Sequence, residues 1–326
     1  MKITLAHGSG GQSTKELIEQ IFAASYNNPI LDMMEDSAVV AGSKKIAVTT
    51  DSFVVDPIFF RGGNIGRLAV CGTVNDLLMR GAVPKYITSA FIIEEGADTE
   101  DLKLIASAMA DAAKEAGVQV VAGDTKVIGG NGGIYINTAG VGFVEGEDFA
   151  SHKCCEGDLI LLSGSMGDHH AAILSHRMGI ENNILSDVAP LCEIVSALTE
   201  NGVEVHAMRD VTRGGLGTVL NELAEASGLA FEIEEKAIPI DPQVKAFVKL
   251  LGLNIMHMGN EGKLVAVVAA KDANKALELM KNSKYGENSA IIGKVCAGDS
   301  AVNMLTALGG RKKVGILIGE GLPRIC

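Results

Sequence analysis

Four aspartates occupy positions where an apolar run ends or a helix turns: Asp36 in Glu35-Asp36-Ser37-Ala38, Asp51 after Val48-Thr49-Thr50, Asp76 in Thr73-Val74-Asn75-Asp76, and Asp124 in Gly123-Asp124-Thr125-Lys126. Carboxylates gathered at the rim of a sheet repel one another unless a hard cation neutralises them. Mg2+ held by carboxylates and substrate phosphates suits such a set. Capping and turn roles account equally well for any single one. Lys126 either balances a phosphate or is a solvated lysine. Two further stretches mix charge with glycine, Arg209-Asp210-Val211-Thr212-Arg213-Gly214-Gly215 before a helix and Gly259-Asn260-Glu261-Gly262-Lys263 before a strand. Turn chemistry is the plain alternative for both.

His7-Gly8-Ser9-Gly10-Gly11 precedes a helical run and can offer backbone N–H groups to phosphate, although taken alone it reads more simply as a terminal loop. No G-x-x-x-x-G-K-[ST] or G-x-G-x-x-G occurs, so a bound nucleotide needs another cradle. The cysteines at 71, 154, 155, 192, 296 and 326 form no C-x-x-C, and His169, His170, His176, His206 and His257 form no H-x-x-x-H. Zinc ribbons and thioredoxin motifs are therefore not expected, and Cys154 and Cys155 read as structural thiols. Cys326 differs, being the last residue of the sequence rather than the fourth from its end, where a prenylation box would place it.

Two domains suit the 326 residues that position these groups. The formal charge of −12 and an aromatic content of 4% without tryptophan oppose nucleic acid as a partner. No apolar run reaches the length of a membrane span, and the N-terminus lacks a signal-like apolar region, so a cytoplasmic protein is expected. Apolar spacing predicts helices over 12–24, 65–79, 187–200, 215–227, 242–251 and 272–282, and one capped by Thr99 and closed by Gly117. Strands are expected at 46–50 ending on Asp51, 86–93, 118–121 ending before Asp124, 158–163, 229–234, 263–269 and 289–295. The charged stretch 145–157 divides the chain. Strands and helices mixed in both halves give an α/β class with a doubly wound sheet as the pattern's own first reading.

The chain also resembles the hydrogenase-maturation branch of the aminoimidazole ribonucleotide synthetase (PurM-like) superfamily. The residues carrying this are His7-Gly8-Ser9-Gly10-Gly11, Thr50-Asp51-Ser52, Gly62-Gly63-Asn64-Ile65-Gly66, Asn75-Asp76, Gly123-Asp124-Thr125-Lys126, Arg209-Asp210, Thr212-Arg213-Gly214-Gly215, Asn260-Glu261-Gly262-Lys263 and terminal Pro323-Arg324-Ile325-Cys326. Where the superfamily often has paired aspartates, this chain has Glu35-Asp36. The resemblance implies an α+β, two-domain PurM-like fold: a leading loop and helix (1–35), an ATP-binding, dimerising sheet domain (36–148), a layered α/β domain (149–308) and a flexible tail (309–326). It implies that Asp36, Asp51, Asp76 and Asp124 handle Mg2+ and ATP, that His7, Gly8, Gly10, Thr125 and Asp210 complete the ATP site, and that Cys326 carries the substrate covalently. A HypF-type carbamoyltransferase would load a carboxamide onto that sulfur. ATP-dependent dehydration to a thiocyanate would follow, with cyanide passing to iron on a HypC–HypD complex. Glu261 and Lys126 are the candidates for proton removal and orientation. Rival readings are a kinase or ring-closing synthetase for a free small molecule, and a non-enzymatic thiol carrier.

Overall fold

Leu17, Ile18, Ile21 and Phe22 recur at helical spacing, and they produce a leading helix: α1 (Gln12–Leu17), a π turn over Ile18–Ala23, and α2 (Ala24–Tyr26). The computed structural model describes residues 2–9, 12–34, 37–146 and 148–317, so Gly10, Glu35-Asp36 and residues 318–326 with Cys326 lie outside the described residues. The start of the expected flexible tail is ordered, with 311–314 forming a strand of the second sheet because it pairs along Val302–Leu305. The first domain continues with β1 (Ile46–Phe53), the two-residue strands β2 (Phe59–Phe60) and β3 (Gly63–Asn64), α3 (Ile65–Leu78), β4 (Val83–Glu94), α4 (Thr99–Ala116), β5 (Gln119–Ile128) and β6 (Ile134–Phe143). Asn64 caps α3 by accepting from Gly66 N and Arg67 N. At α4 the cap is Asp98, whose carboxylate accepts from Glu100 N, and Thr99, expected as the cap, is the first helical residue.

The first sheet runs β1-β6-β4-β5, antiparallel except for the parallel β4–β5 pair. One face is covered by α3 and α4, with Ile65, Val74, Ile87, Phe91, Ile105 and Met109 in its core. The other face is open. Asp51 and Asp124 stand inside β1 and β5 rather than at their ends, because the polar residues beyond the apolar runs keep alternating between faces.

The second domain comprises β7 (Leu159–Leu162), α5 (Asp168–Arg177), α6 (Cys192–Glu200), β8 (Val205–Asp210), α7 (Gly215–Ser227), β9 (Ala230–Glu234), α8 (Pro242–Leu251), β10 (Leu264–Val268), α9 (Ala273–Asn282), β11 (Ala290–Cys296), β12 (Val302–Leu305) and β13 (Arg311–Val314). Its sheet order is β13-β12-β9-β11-β7-β10-β8, with β12–β9 its one parallel pair among the described strands. The doubly wound reading is therefore wrong, and the mixed PurM-like architecture holds. Alternating strands and helices look alike in sequence whether a chain crosses over or returns antiparallel. Strands β6 and β8, which the pattern did not announce, supply the returns. The helix expected at 187–200 begins only at Cys192, since Pro190 disfavours helical backbone at Ala189 and lacks an N–H of its own. Helix α5 escaped notice because it is buried from Asp168 to Ser175 and carries no polar stripe. No helix among the described residues is long and apolar enough to cross a membrane.

Candidate active site between the domains

Helix α3 lies close against β1 because residue 72 is glycine; a Cβ there would stand 2.9 Å from two ring carbons of Phe53. This contact brings the last turn of α3 over β1, where Thr49 Oγ1 donates to Asp76 Oδ2 at 2.8 Å. Asp51, two residues along the same strand, faces the same side and accepts from its neighbour Ser52 N. Burial raises the pKa of both carboxyls, and the charge of Asp51 adds to the rise at Asp76.

The second domain completes the cluster. Asn75 anchors it to α3, its amide donating to Ala189 O at 3.0 Å and accepting from Leu191 N at 2.9 Å. Strand β8 ends in Asp210, which burial and the charges of Asp76 and Asp51 push up to about 7. The turn before β10 supplies Glu261. Desolvation, then the charges of Asp210, Asp187 and Asp51, drive its pKa well above the carboxylate range, with Arg213 opposing. Asp187 behaves in the opposite way. Against the effect of burial, Lys263 Nζ at 3.4 Å and Asn260 Nδ2 at 2.8 Å hold it below its usual value. It also accepts from Glu261 N at 3.1 Å and so fixes the turn. Asn260, fully buried, is held in place by Gly167 N and Ser165 O. Asp51, Asp76, Asp210 and Glu261 thus form an all-oxygen set of mutually repelling acids, the donor chemistry of a hard cation.

Asp124 lies elsewhere in the chain. Asp51 shares a row of the sheet with Thr138, Ser89 and Gly123, whereas Asp124 belongs to the next row, with Ser52, Asn137 and Ala90, on the open face. Three strand spacings separate β1 from β5, roughly 14 Å. Asp124 binds Lys126 Nζ at 2.7 Å, and this ion pair holds its carboxyl below the usual range. Gly8, Asp124, Thr125 and Lys126 line one cavity of about 360 Å³, walled on its apolar side by Phe22 and Tyr26 of the leading helix. Thr125 itself is buried. His7 turns back on its own 3-10 turn, accepting from Thr4 N at 3.1 Å, and borders a different groove against α1 and α4. Each chain therefore carries two groups: Asp51, Asp76, Asp210 and Glu261 at the domain junction, and Gly8, Asp124, Thr125 and Lys126 beside the leading helix. Sequence reasoning missed Asp187: the apolar spacing makes it the first residue of the helix expected at 187–200, whereas it precedes that helix, in the segment leading to Cys192.

The AIR synthase related protein N-terminal domain model matches residues 34–144, and the C-terminal domain model matches 156–304. The carbamoyl dehydratase HypE of Bradyrhizobium diazoefficiens is 46% identical over 332 residues, covering 99% of this chain and 96% of its own length. The crystal structure of the hydrogenase maturation protein HypE in complex with ATP superposes with a TM-score of 0.96 at 41% identity over 99% of both chains. A chain from the crystal structure of a HypE–HypF complex, 45% identical, superposes at 0.81 over 92% of this chain and 99% of its own.

Proposed function

Because the chain belongs to the carbamoyl dehydratase HypE family of AIR synthase related proteins, we propose that it uses ATP to dehydrate a carboxamide carried on Cys326 to a thiocyanate, the source of the cyanide ligand of a nickel-iron hydrogenase. The observation that carries this reading is the convergence of Asp51, Asp76, Asp210 and Glu261 where the two domains meet. An amide oxygen is a poor leaving group, so the reaction needs that oxygen phosphorylated and two protons taken from nitrogen. The balance is S-carboxamide plus ATP giving thiocyanate, ADP and phosphate, with the amide oxygen leaving in the phosphate.

The chain's own groups divide the work. Asp51, Asp76 and Asp210 would hold Mg2+ at the junction and Asp124 at the second group, with Asp36 assigned by resemblance. Mg2+ supplies charge neutralisation for the transferring phosphoryl group. Glu261 accepts a proton from the amide nitrogen; its desolvated setting beside Asp187 and Asp210 makes its carboxylate strongly basic. Lys126, held by Asp124, orients phosphate charge, and Gly8 and Thr125 belong to the nucleotide side of the site, with Gly10 assigned by resemblance, whereas His7, on the separate groove against α1 and α4, stands apart from it. We assign Cys326 as the covalent carrier, loaded by a HypF-type carbamoyltransferase and unloaded to a HypC–HypD complex in the cytoplasm. The relative solved with HypF supports the first of these partners. The division into 1–35, 36–148, 149–308 and 309–326 remains part of this reading, with β13 joining the start of the last part to the second sheet, and the spans of the two family models support its central parts.

A homodimer belongs to the same proposal. The open face of the first sheet presents Ile46, Val48, Tyr86, Ile92, Val141 and Phe143, with Val48 65% exposed. An apolar face of this kind calls for a second sheet. Intact mass spectrometry tests the chemistry. After carbamoylation the protein gains one carboxamide on Cys326, and with Mg-ATP it loses the mass of one water; Cys326→Ala gains nothing. ATP turnover that phosphorylates a free small molecule and leaves Cys326 unchanged would restore the kinase reading.

A further inference from the structure

At the start of the second domain, Cys155, Asp158 and His206 bring a thiol, a carboxylate oxygen and an imidazole nitrogen within 4.8 Å of one another. The chain reaches this arrangement in two steps. Cys155-Glu156-Gly157-Asp158 makes a tight turn in which Asp158 N donates to Cys155 O at 3.2 Å, and Gly157 takes a φ of +94° that a side chain would resist. The turn places positions 155 and 158 side by side, as the C-x-x-C spacing does in zinc sites. His206 then arrives on β8, whose carbonyl at that residue accepts from Ala150 N at 3.0 Å. We propose that Cys155, Asp158 and His206 bind a borderline divalent cation, zinc by ligand chemistry, through three protein ligands with water in the fourth position.

The surroundings of the three side chains support the assignment. His206 Nε2 lies 3.2 Å from Glu204 Oε1, and Glu204 is itself paired with Lys271 Nζ at 2.5 Å. A carboxylate on one imidazole nitrogen fixes the ring and leaves the other, here Nδ1, for the metal. That Nδ1 lies 2.7 Å from Asp158 Oδ2, a hydrogen bond whose proton a bound ion would replace. Cys155 N donates to the same carboxylate at 2.7 Å, and Asp158 is anchored to β11 through Val295 N at 2.8 Å. Asp158 is 3% exposed, while Cys155 is exposed, which gives a buried base and an open route for the ion. Tetrahedral zinc with bonds of about 2.0–2.3 Å would need the histidine and aspartate to part by about half an ångström. Mixed sulfur, nitrogen and oxygen donors disfavour Mg2+ and favour zinc. His206 stands four residues before Asp210 on one strand, roughly 13 Å away, so this site is distinct from the junction acids. A bound ion would clip the segment between the domains to β8.

The full-length protein, stripped with chelator, is titrated with Zn2+ by calorimetry and with Co2+ by absorption. One ion per chain is expected, with a thiolate-to-cobalt charge-transfer band. Cys155→Ser, at an exposed position that leaves the fold intact, should abolish the band and weaken Zn2+ at least about tenfold, and His206→Ala should weaken Zn2+ similarly. Glu204→Gln should keep the band and weaken Zn2+ by about tenfold or more. A band that survives in Cys155→Ser, Co2+ bound without a band in the wild type, or no saturable binding would overturn the proposal.

Discussion

Asp210 carries a folding penalty that its function explains. Its pKa rises to about 7 in the folded chain, from the ordinary aspartate value of about 4. Between those values the folded protein keeps a proton that the unfolded chain releases, so stability falls as pH rises through this window and is unaffected below it. Asp210→Asn should therefore stabilise the ligand-free protein at pH 8 by about 1–2 kcal/mol after allowance for solvent screening, with the gain vanishing near pH 4. The same change should weaken Mg-ATP. Urea melts at several pH values with parallel calorimetry check both, and a variant destabilised at pH 8 would refute the account. Glu261→Gln keeps shape and hydrogen bonding but removes the base, so it should bind ATP within a few-fold of wild type while single-turnover thiocyanate formation drops about 100-fold or more. At this scale the sequence was informative about identity and silent about grouping. Asp51, Asp76, Asp210 and Glu261 were each legible beside glycines or at element ends, but nothing local says that Asp124 shares neither row nor face with Asp51.

Among the elements, α3 sets the geometry of the site. Its contact with β1 depends on Gly72, and Gly140 gives the same helix room on β6, where a Cβ would stand 2.7 Å from Thr73 Cγ2. Gly72→Ala places a methyl 2.9 Å from the Phe53 ring and should cost about 1–3 kcal/mol by overpacking, with a loss of Mg-ATP affinity as Asp76 withdraws from Thr49. Phe53→Leu in the same chain should recover much of both. Denaturant unfolding of the single and double variants measures the coupling; additive effects would show that the helix is placed by other contacts. The helix itself was readable from its apolar spacing. Its distance from the sheet was not, because the partner of Gly72 is a phenylalanine nineteen positions earlier on another element. The same limitation hid β6 and β8, whose pairing is fixed by neighbours distant in sequence.

For the whole molecule, the two groups of residues in one chain pose the main question. Asp51 faces the covered side of the first sheet and the second domain, while Asp124 and Lys126 face the open side that the proposed dimer would cover. Asp51 stands on β1 and Asp124 on β5, the two edge strands of this sheet. A twofold pairing of open faces that sets β5 of one chain beside β1 of its copy brings the second group of one chain to the edge that carries the junction group of the other, giving two sites that each draw on both chains. Asp51→Asn and Asp124→Asn should each be inactive as pure proteins. Co-expressed and purified together, about half of the dimers should be mixed, with one site collecting both lesions and the other none, so activity of the pool should return to about a quarter of the wild-type value. No recovery in confirmed mixed dimers would place a complete site within each chain. Val48→Asp supplies the control: a charge at the centre of the open face should give a monomer by light scattering, and that monomer should lose dehydration while keeping its melting transition.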